Sequence, residues 1–107
     1  MRRIDEIAGH ALMSEKALEA YLVKRVKMLG GIALKYSNPT YTGFPDRLLL
    51  LPGGRTAWCE LKSRGKKPRA VQQARIQQLR ELGQAVYVVS SRDEIERVIT
   101  EICLTKI

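Results

Sequence analysis

Histidine and cysteine are almost missing from this 107-residue chain, which has one histidine, His10, and two cysteines, Cys59 and Cys103. A structural zinc site takes four such ligands and a disulfide framework takes several bridges, so both are excluded. The cysteines read as small buried apolar residues, Cys59 within a strand and Cys103 in the last helix, and His10 is assigned no role. No sustained apolar run is present, and Arg2 and Arg3 are soon followed by Asp5 and Glu6. Neither a signal peptide nor a membrane span is therefore expected, and the expected location is cytoplasmic. Internal repeats and low-complexity segments are also lacking, while 45% of residues are hydrophobic and 28% charged. That balance predicts one globular domain over 1–107, too short for two. Residues 1–13, with Ile4, Ile7, Ala8, Ala11 and Leu12, read as an N-terminal arm or short helix that Gly9 weakens.

Acidic residues are scarce as well: 11 Asp and Glu against 19 Lys and Arg give a formal charge of +8. Such a surplus suits a polyanionic partner, nucleic acid first and an anionic membrane surface second. The position of the few acids is then informative. Leu48–Leu51 and Thr56–Cys59 are apolar runs of strand length separated by Pro52-Gly53-Gly54, which predicts an antiparallel hairpin. A three-residue loop sets Leu51 opposite Arg55, and continuing the ladder sets Asp46 opposite Glu60, with Cβ atoms roughly 4.5–5.5 Å apart. A two-residue loop would leave the carboxylates diagonal. The period of two puts Lys62 on the same face.

Three scattered charges are ordinarily a salt-bridge cluster. These lie at the ends of strands so apolar that the sheet is expected to be covered on both faces, where unpaired carboxylates would repel each other and protonate. A divalent cation, Mg²⁺ or Mn²⁺, resolves that conflict and can act on a phosphodiester, with Lys62 placed to orient or activate water and the Leu61 carbonyl as a further ligand.

The remaining elements frame this pair. Ser14 caps a helix with Leu18, Leu22, Val26 and Leu29 in one stripe, ended by Gly30-Gly31. Glu15 and Glu19 lie in or beside that stripe, and periodicity alone reads them as solvated or favoured by the helix dipole. Ile32–Tyr36 is a first strand, followed by a polar loop in which Tyr36, Tyr41 and Phe44 either stack on bases or pack the loop. Lys35, Arg47 and Arg55 are solvent-facing or phosphate-facing. Arg64, Lys66, Lys67 and Arg69 form a basic loop directly after Lys62, suited to flanking phosphates, which runs into a helix with Pro68 near its first turn. That helix extends to Leu82 and turns Gln72, Ile76 and Leu79 inward, with Gln73 the adjacent alternative to Gln72. Gln84–Ser90 is a core strand, and Ser91-Arg92-Asp93-Glu94 is a capping box opening a last helix with Ile95, Val98, Ile99 and Ile102 inward. The predicted fold is α/β, in the order α-β-β-β-α-β-α.

Pro45-Asp46 followed by Glu60-Leu61-Lys62 resembles the PD-(D/E)XK nuclease signature. With Gly30-Gly31-Ile32-Ala33, Gly43-Phe44-Pro45-Asp46-Arg47, Leu51-Pro52-Gly53-Gly54 and Lys66-Lys67-Pro68-Arg69, it is similar to small stand-alone phage-type members of the VRR-NUC (virus-type replication-repair nuclease) branch, over about Ser14 to Ser90. The resemblance implies a PD-(D/E)XK-like core with a central mixed sheet flanked by helices. It implies a Mg²⁺- or Mn²⁺-dependent DNA endonuclease, a hydrolase acting through Asp46, Glu60 and Lys62. Glu19 would approach the metal from the first helix, with Glu15 as fallback, and Gln72 would orient Lys62 or a scissile oxygen. Lys66, Lys67, Arg69, Arg64 and Tyr41 would contact the nucleic acid. Structure selectivity, with Holliday-junction cutting in DNA repair by a homodimer, is the natural inference for so small a chain, the dimer contacts being sought in the N-terminal arm and near Ile102, Leu104 and Ile107. The reading from a different class is a non-catalytic nucleic-acid-binding or nuclease-subunit module.

Overall fold

The computed structural model of the chain describes residues 13–104. The expected arm, His10 and Ile107 lie outside them, apart from Met13. The described elements run α1 (Glu15–Met28), β1 (Ile32–Lys35), β2 (Arg47–Leu51), a 3₁₀ turn (Pro52–Gly54), β3 (Arg55–Leu61), α2 (Ala70–Glu81), β4 (Val86–Val89) and α3 (Arg92–Leu104). This is the predicted α-β-β-β-α-β-α order, wound into one mixed four-stranded sheet in spatial order β1-β2-β3-β4. The first three strands are antiparallel, and β4 pairs parallel with β3 after the α2 crossover.

Strand alternation sorts the core into two layers. Leu49, Leu51, Ala57, Cys59, Leu61 and Val89 face α1 and α3, whose Leu18, Leu22, Val26, Ile95, Val98, Ile99 and Ile102 complete the larger core. On the opposite face Val86 and Trp58 meet Ile76 and Leu79 of α2, with Phe44. Covering of both faces holds only over β3 and the start of β4, Val88 being 38% exposed. Ile32 and Leu34 on the other face are 59% and 46% exposed, because one helix of twelve residues cannot span four strands.

Helix ends follow the local signals with two differences. The Ser14 hydroxyl accepts from the Ala17 N–H at 3.0 Å, and Gly30 follows α1 with φ +85°. Pro68 stands just before the N-cap Arg69 rather than inside the first turn of α2. At α3 the Ser91 hydroxyl accepts from the Glu94 N–H, but the Glu94 carboxylate reaches Ser90 N–H at 2.6 Å instead of closing the reciprocal half of the expected box. Near the end of α3, Ile102 is 4% exposed and belongs to the core, which removes it from the surface where an interface was expected; Leu104 is exposed.

The helices of the larger layer are tied by Glu96, which accepts from the Tyr21 hydroxyl at 2.6 Å and from Arg25 Nε and Nη2 at 2.6 and 2.9 Å. The Arg25 guanidinium and the Tyr21 hydroxyl pull the Glu96 carboxyl down to about 2. Replacing Glu96 with alanine is expected to cost no more than about 1 kcal/mol at neutral pH, since the pair is partly solvated and screened. Because the folded pKa is depressed, that contribution is present above the ordinary glutamate value and fades as pH falls through about 2. Denaturant melts of both proteins from neutral pH downward should therefore converge at the acid end.

Candidate active site: two carboxylates and a lysine

The turn decides the register. Pro52 opens it, and Gly53 and Gly54 hold φ +81° and +75°, left-handed values that suit glycine. Leu51 pairs with Arg55 and Arg47 with Cys59, as the three-residue loop predicts, so the next position along sets Asp46 against Glu60. Beyond Arg47 the strands part. The Asp46 carbonyl accepts from the Tyr36 N–H of the β1 side at 3.0 Å, while the Asp46 carboxylate accepts from the Leu61 N–H at 3.2 Å. A side chain thus replaces the missing ladder bond. The Leu61 carbonyl points the same way as its N–H, and its counterpart in register is Pro45, which has no N–H to offer.

Glu60 is 1% exposed. Its Oε2 accepts from Lys62 Nζ at 3.2 Å and from Gln72 Nε2 at 2.9 Å, whereas its Oε1 is buried with no hydrogen-bond partner. Gln72 is oriented from its other end, where Oε1 accepts from the Arg69 N–H at 2.8 Å, which leaves the amide nitrogen for the carboxylate. The inward glutamine therefore holds Glu60, where Lys62 or a scissile oxygen was expected as its partner. Gln73 instead bonds the Pro68 carbonyl.

Burial pushes the Asp46 carboxyl above its ordinary range; the Leu61 N–H and Lys62 oppose this, and Glu19 and Glu15 add to it. Burial raises Glu60 too, then repulsion by the Asp46 carboxylate, with Lys62 and the Asp46 backbone N–H opposing. Two acids that repel, one of them buried with an orphaned oxygen, fit a divalent cation held by Asp46, Glu60 and the Leu61 carbonyl. Among the described residues no group of three or more His, Cys, Asp and Glu is arranged as a metal cluster. Glu19 has another partner. Its Oε2 accepts from Arg47 Nε at 2.9 Å and lies 2.8 Å from Nη2, so the acid expected to reach the metal is engaged by a guanidinium. Glu15, the fallback, accepts from the Ser63 N–H at 3.2 Å.

The loop leading to Asp46 is clamped onto α2. Gly43, at φ +96°, lies where a Cβ would come within 2.7 Å of the Val71 carbonyl oxygen, and Arg75 Nε donates to the Thr42 carbonyl. Tyr36 and Phe44 pack edge-on with centroids 5.3 Å apart, and both contact Trp58. Tyr41 carries Arg75 4.1 Å above its ring and donates its hydroxyl to Gln78. Tyr36 and Phe44 are engaged in this packing, while Tyr41 stays 44% exposed. Arg64, Lys66, Lys67 and Arg69 are all exposed beside the site. Arg47, expected to face solvent or phosphate, is instead engaged with Glu19 and the Ala33 carbonyl, and Arg75 is the site neighbour that carried no sequence signal.

A mixed sheet whose diverging strands bring together Asp46, Glu60 and Lys62 defines a PD-(D/E)XK-type nuclease domain. The chain is similar to a solved VRR_NUC domain, with a TM-score of 0.77 and 29% identity over 82% of this chain and 97% of that one. It is also 40% identical over 82 residues, 77% of this chain and 88% of the relative, to putative nuclease p44 of Acyrthosiphon pisum secondary endosymbiont phage 1. No family model matches. The chain belongs to the VRR-NUC nuclease family, as a small phage-type member.

Neutralising one acid should relieve the repulsion. Asp46→Asn keeps an acceptor for the Leu61 N–H and is expected to stabilise the metal-free protein by about 1 kcal/mol, a melting rise of roughly 4–8 °C. The folded pKa values are raised, so the folded wild type binds protons more tightly than the unfolded chain, and its metal-free stability should fall as pH rises through the two raised carboxyls. Thermal melts in chelator across that range, then with added Mg²⁺, test this: Mg²⁺ should stabilise the wild type and not the variant.

Proposed function

We propose that this protein is a Mg²⁺- or Mn²⁺-dependent endonuclease that hydrolyses DNA phosphodiesters. The observation that carries the proposal is the buried Glu60 carboxylate, with an unpartnered oxygen, set against Asp46 in a strongly cationic chain. A binding module would gain nothing from a buried glutamate and a half-buried aspartate set together against a polyanion. Asp46, Glu60 and the Leu61 carbonyl would hold the cation, which when bound supplies Lewis-acid stabilisation of charge on the phosphodiester. Gln72 fixes the Glu60 carboxylate against rotation. Lys62, 3.2 Å from Glu60 Oε2, is held where its remaining N–H groups orient water or a phosphate oxygen. The exposed basic loop after Lys62 suits the phosphates that flank the reacting one.

Cleavage of plasmid and branched DNA in Mg²⁺ or Mn²⁺ is the direct test. Asp46→Asn and Lys62→Ala should each lower the single-turnover rate by at least about a hundredfold, consistent with loss of an electrostatic or acid–base contribution, while DNA affinity in chelator changes by less than about threefold. Equal loss of cutting and binding would instead favour the phosphate-gripping module.

Paired nicking of a branch needs two active sites, and one copy offers one. A homodimer selective for four-way junctions is therefore the finer reading. It is supported by the apolar half-face at Ile32, Leu34 and Leu50 beside the edge strand β1, more apolar surface than a solitary sheet edge ordinarily leaves open. Light scattering at micromolar concentration should give twice the chain mass, and junction cleavage should exceed linear-duplex cleavage at equal ionic strength. A monomer without junction preference would leave a general nuclease.

A further inference from the structure

A groove of about 420 Å³ runs along the outer side of α1, lined by Lys16, Lys24, Lys27, Arg47 and Glu19 with two small apolar residues of the helix. Lys16 and Lys27 lie close to one line on the helix, since eleven residues are three turns, and the line spans about 16 Å. Duplex DNA carries a charge about every 3.4 Å per strand, so that length matches several successive phosphates. Four cations face one carboxylate there. The Glu15 contact with the Ser63 N–H brings the start of α1 against the start of the basic loop, so the two cationic surfaces adjoin.

The single acid in this groove is Glu19, held by Arg47 at 2.8 Å, while Arg47 Nη1 also donates to the Ala33 carbonyl at 2.8 Å. Glu19 lies close enough to Asp46 for its charge to raise that carboxyl, so the end of the groove adjoins the carboxylate pair, where the unpartnered Glu60 oxygen is buried. A phosphodiester oxygen and a glutamate carboxylate compete for the same guanidinium edge.

We propose that the α1 groove is a second binding track for a DNA phosphate backbone, and that a phosphate drawing Arg47 away from Glu19 releases that carboxylate toward the divalent cation. DNA and metal then bind cooperatively, each tightening the other by the same factor. In the absence of DNA the cation meets only Asp46, Glu60 and the Leu61 carbonyl, and Arg47 acts as a positioning residue that keeps Glu19 in reserve. The coupling rests on the metal reading given above; the phosphate track does not.

The test measures anisotropy of a labelled duplex against salt in chelator, and Mn²⁺ affinity by calorimetry, on the full chain. Replacing Lys16, Lys24 and Lys27 with alanine should weaken DNA binding and reduce the log–log salt slope by up to roughly 0.9 per lost contact; an unchanged slope overturns the track. Arg47→Met should tighten Mn²⁺ binding to DNA-free protein by about tenfold, and adding Glu19→Gln to it should remove the gain. Glu19→Gln alone, which retains Arg47, should tighten DNA binding in chelator and diminish the Mn²⁺–DNA coupling, so the test survives a misfolded Arg47 variant. Wild type that binds Mn²⁺ with Arg47→Met and Glu19→Gln behaving identically to it overturns the release step alone. Wild type that binds no Mn²⁺, with or without duplex, overturns the metal reading and the release step together.

Discussion

Repulsion between two carboxylates, a buried Glu60 and a half-buried Asp46, is the constraint on which the site depends. The register of β2 with β3 sets Asp46 beside Glu60, and burial of Glu60 strengthens the repulsion between them. The chain offsets the repulsion only in part. Lys62 and Gln72 converge on one oxygen of Glu60, and a backbone N–H serves one oxygen of Asp46. The second Glu60 oxygen is buried without a hydrogen-bond partner. Such incomplete satisfaction costs stability, and it concentrates binding energy where a cation would act.

Helix α2 supports both acids by different routes. It reaches Glu60 through Gln72, whose orientation is fixed by the N–H of Arg69 at the end of the basic loop. It reaches Asp46 indirectly, by clamping the preceding loop at Gly43 against Val71 and at Thr42 against Arg75. The aromatic residues of that loop belong to the clamp: Tyr36 and Phe44 pack with Trp58, and Tyr41 lies under Arg75. The residues nearest the substrate side are therefore the charged ones, and the rings hold them in place.

Charge is distributed by the same logic. Most of the cationic surplus is spread over exposed positions of the basic loop and α1, where water solvates it until a polyanion arrives. The acids near the site are each engaged: Glu15 by a backbone N–H, Glu19 by Arg47, Glu60 by Lys62 and Gln72, and Asp46 by Leu61. These local pairings let a few acids lie beside a strongly cationic surface.

The sequence by itself determined the element order, the hairpin register and the facing of Asp46, Glu60 and Lys62. Each of these follows from short-range rules: helical stripes, strand alternation and a turn whose two glycines take left-handed φ values. The inward side of Gln72 was legible for the same reason, being one turn from Ile76. Periodicity does not carry across elements, and that is where the tertiary structure decided. Which partner Gln72 takes depends on the packing of α2 over β3, and whether Glu19 faces a cation or Arg47 depends on the distance between α1 and β2. The open half-face at Ile32 and Leu34 was hidden behind an apolar pattern that looked fit for burial on both sides. Apolar character says that a residue can be buried, while only the number and length of the covering helices decide whether it is.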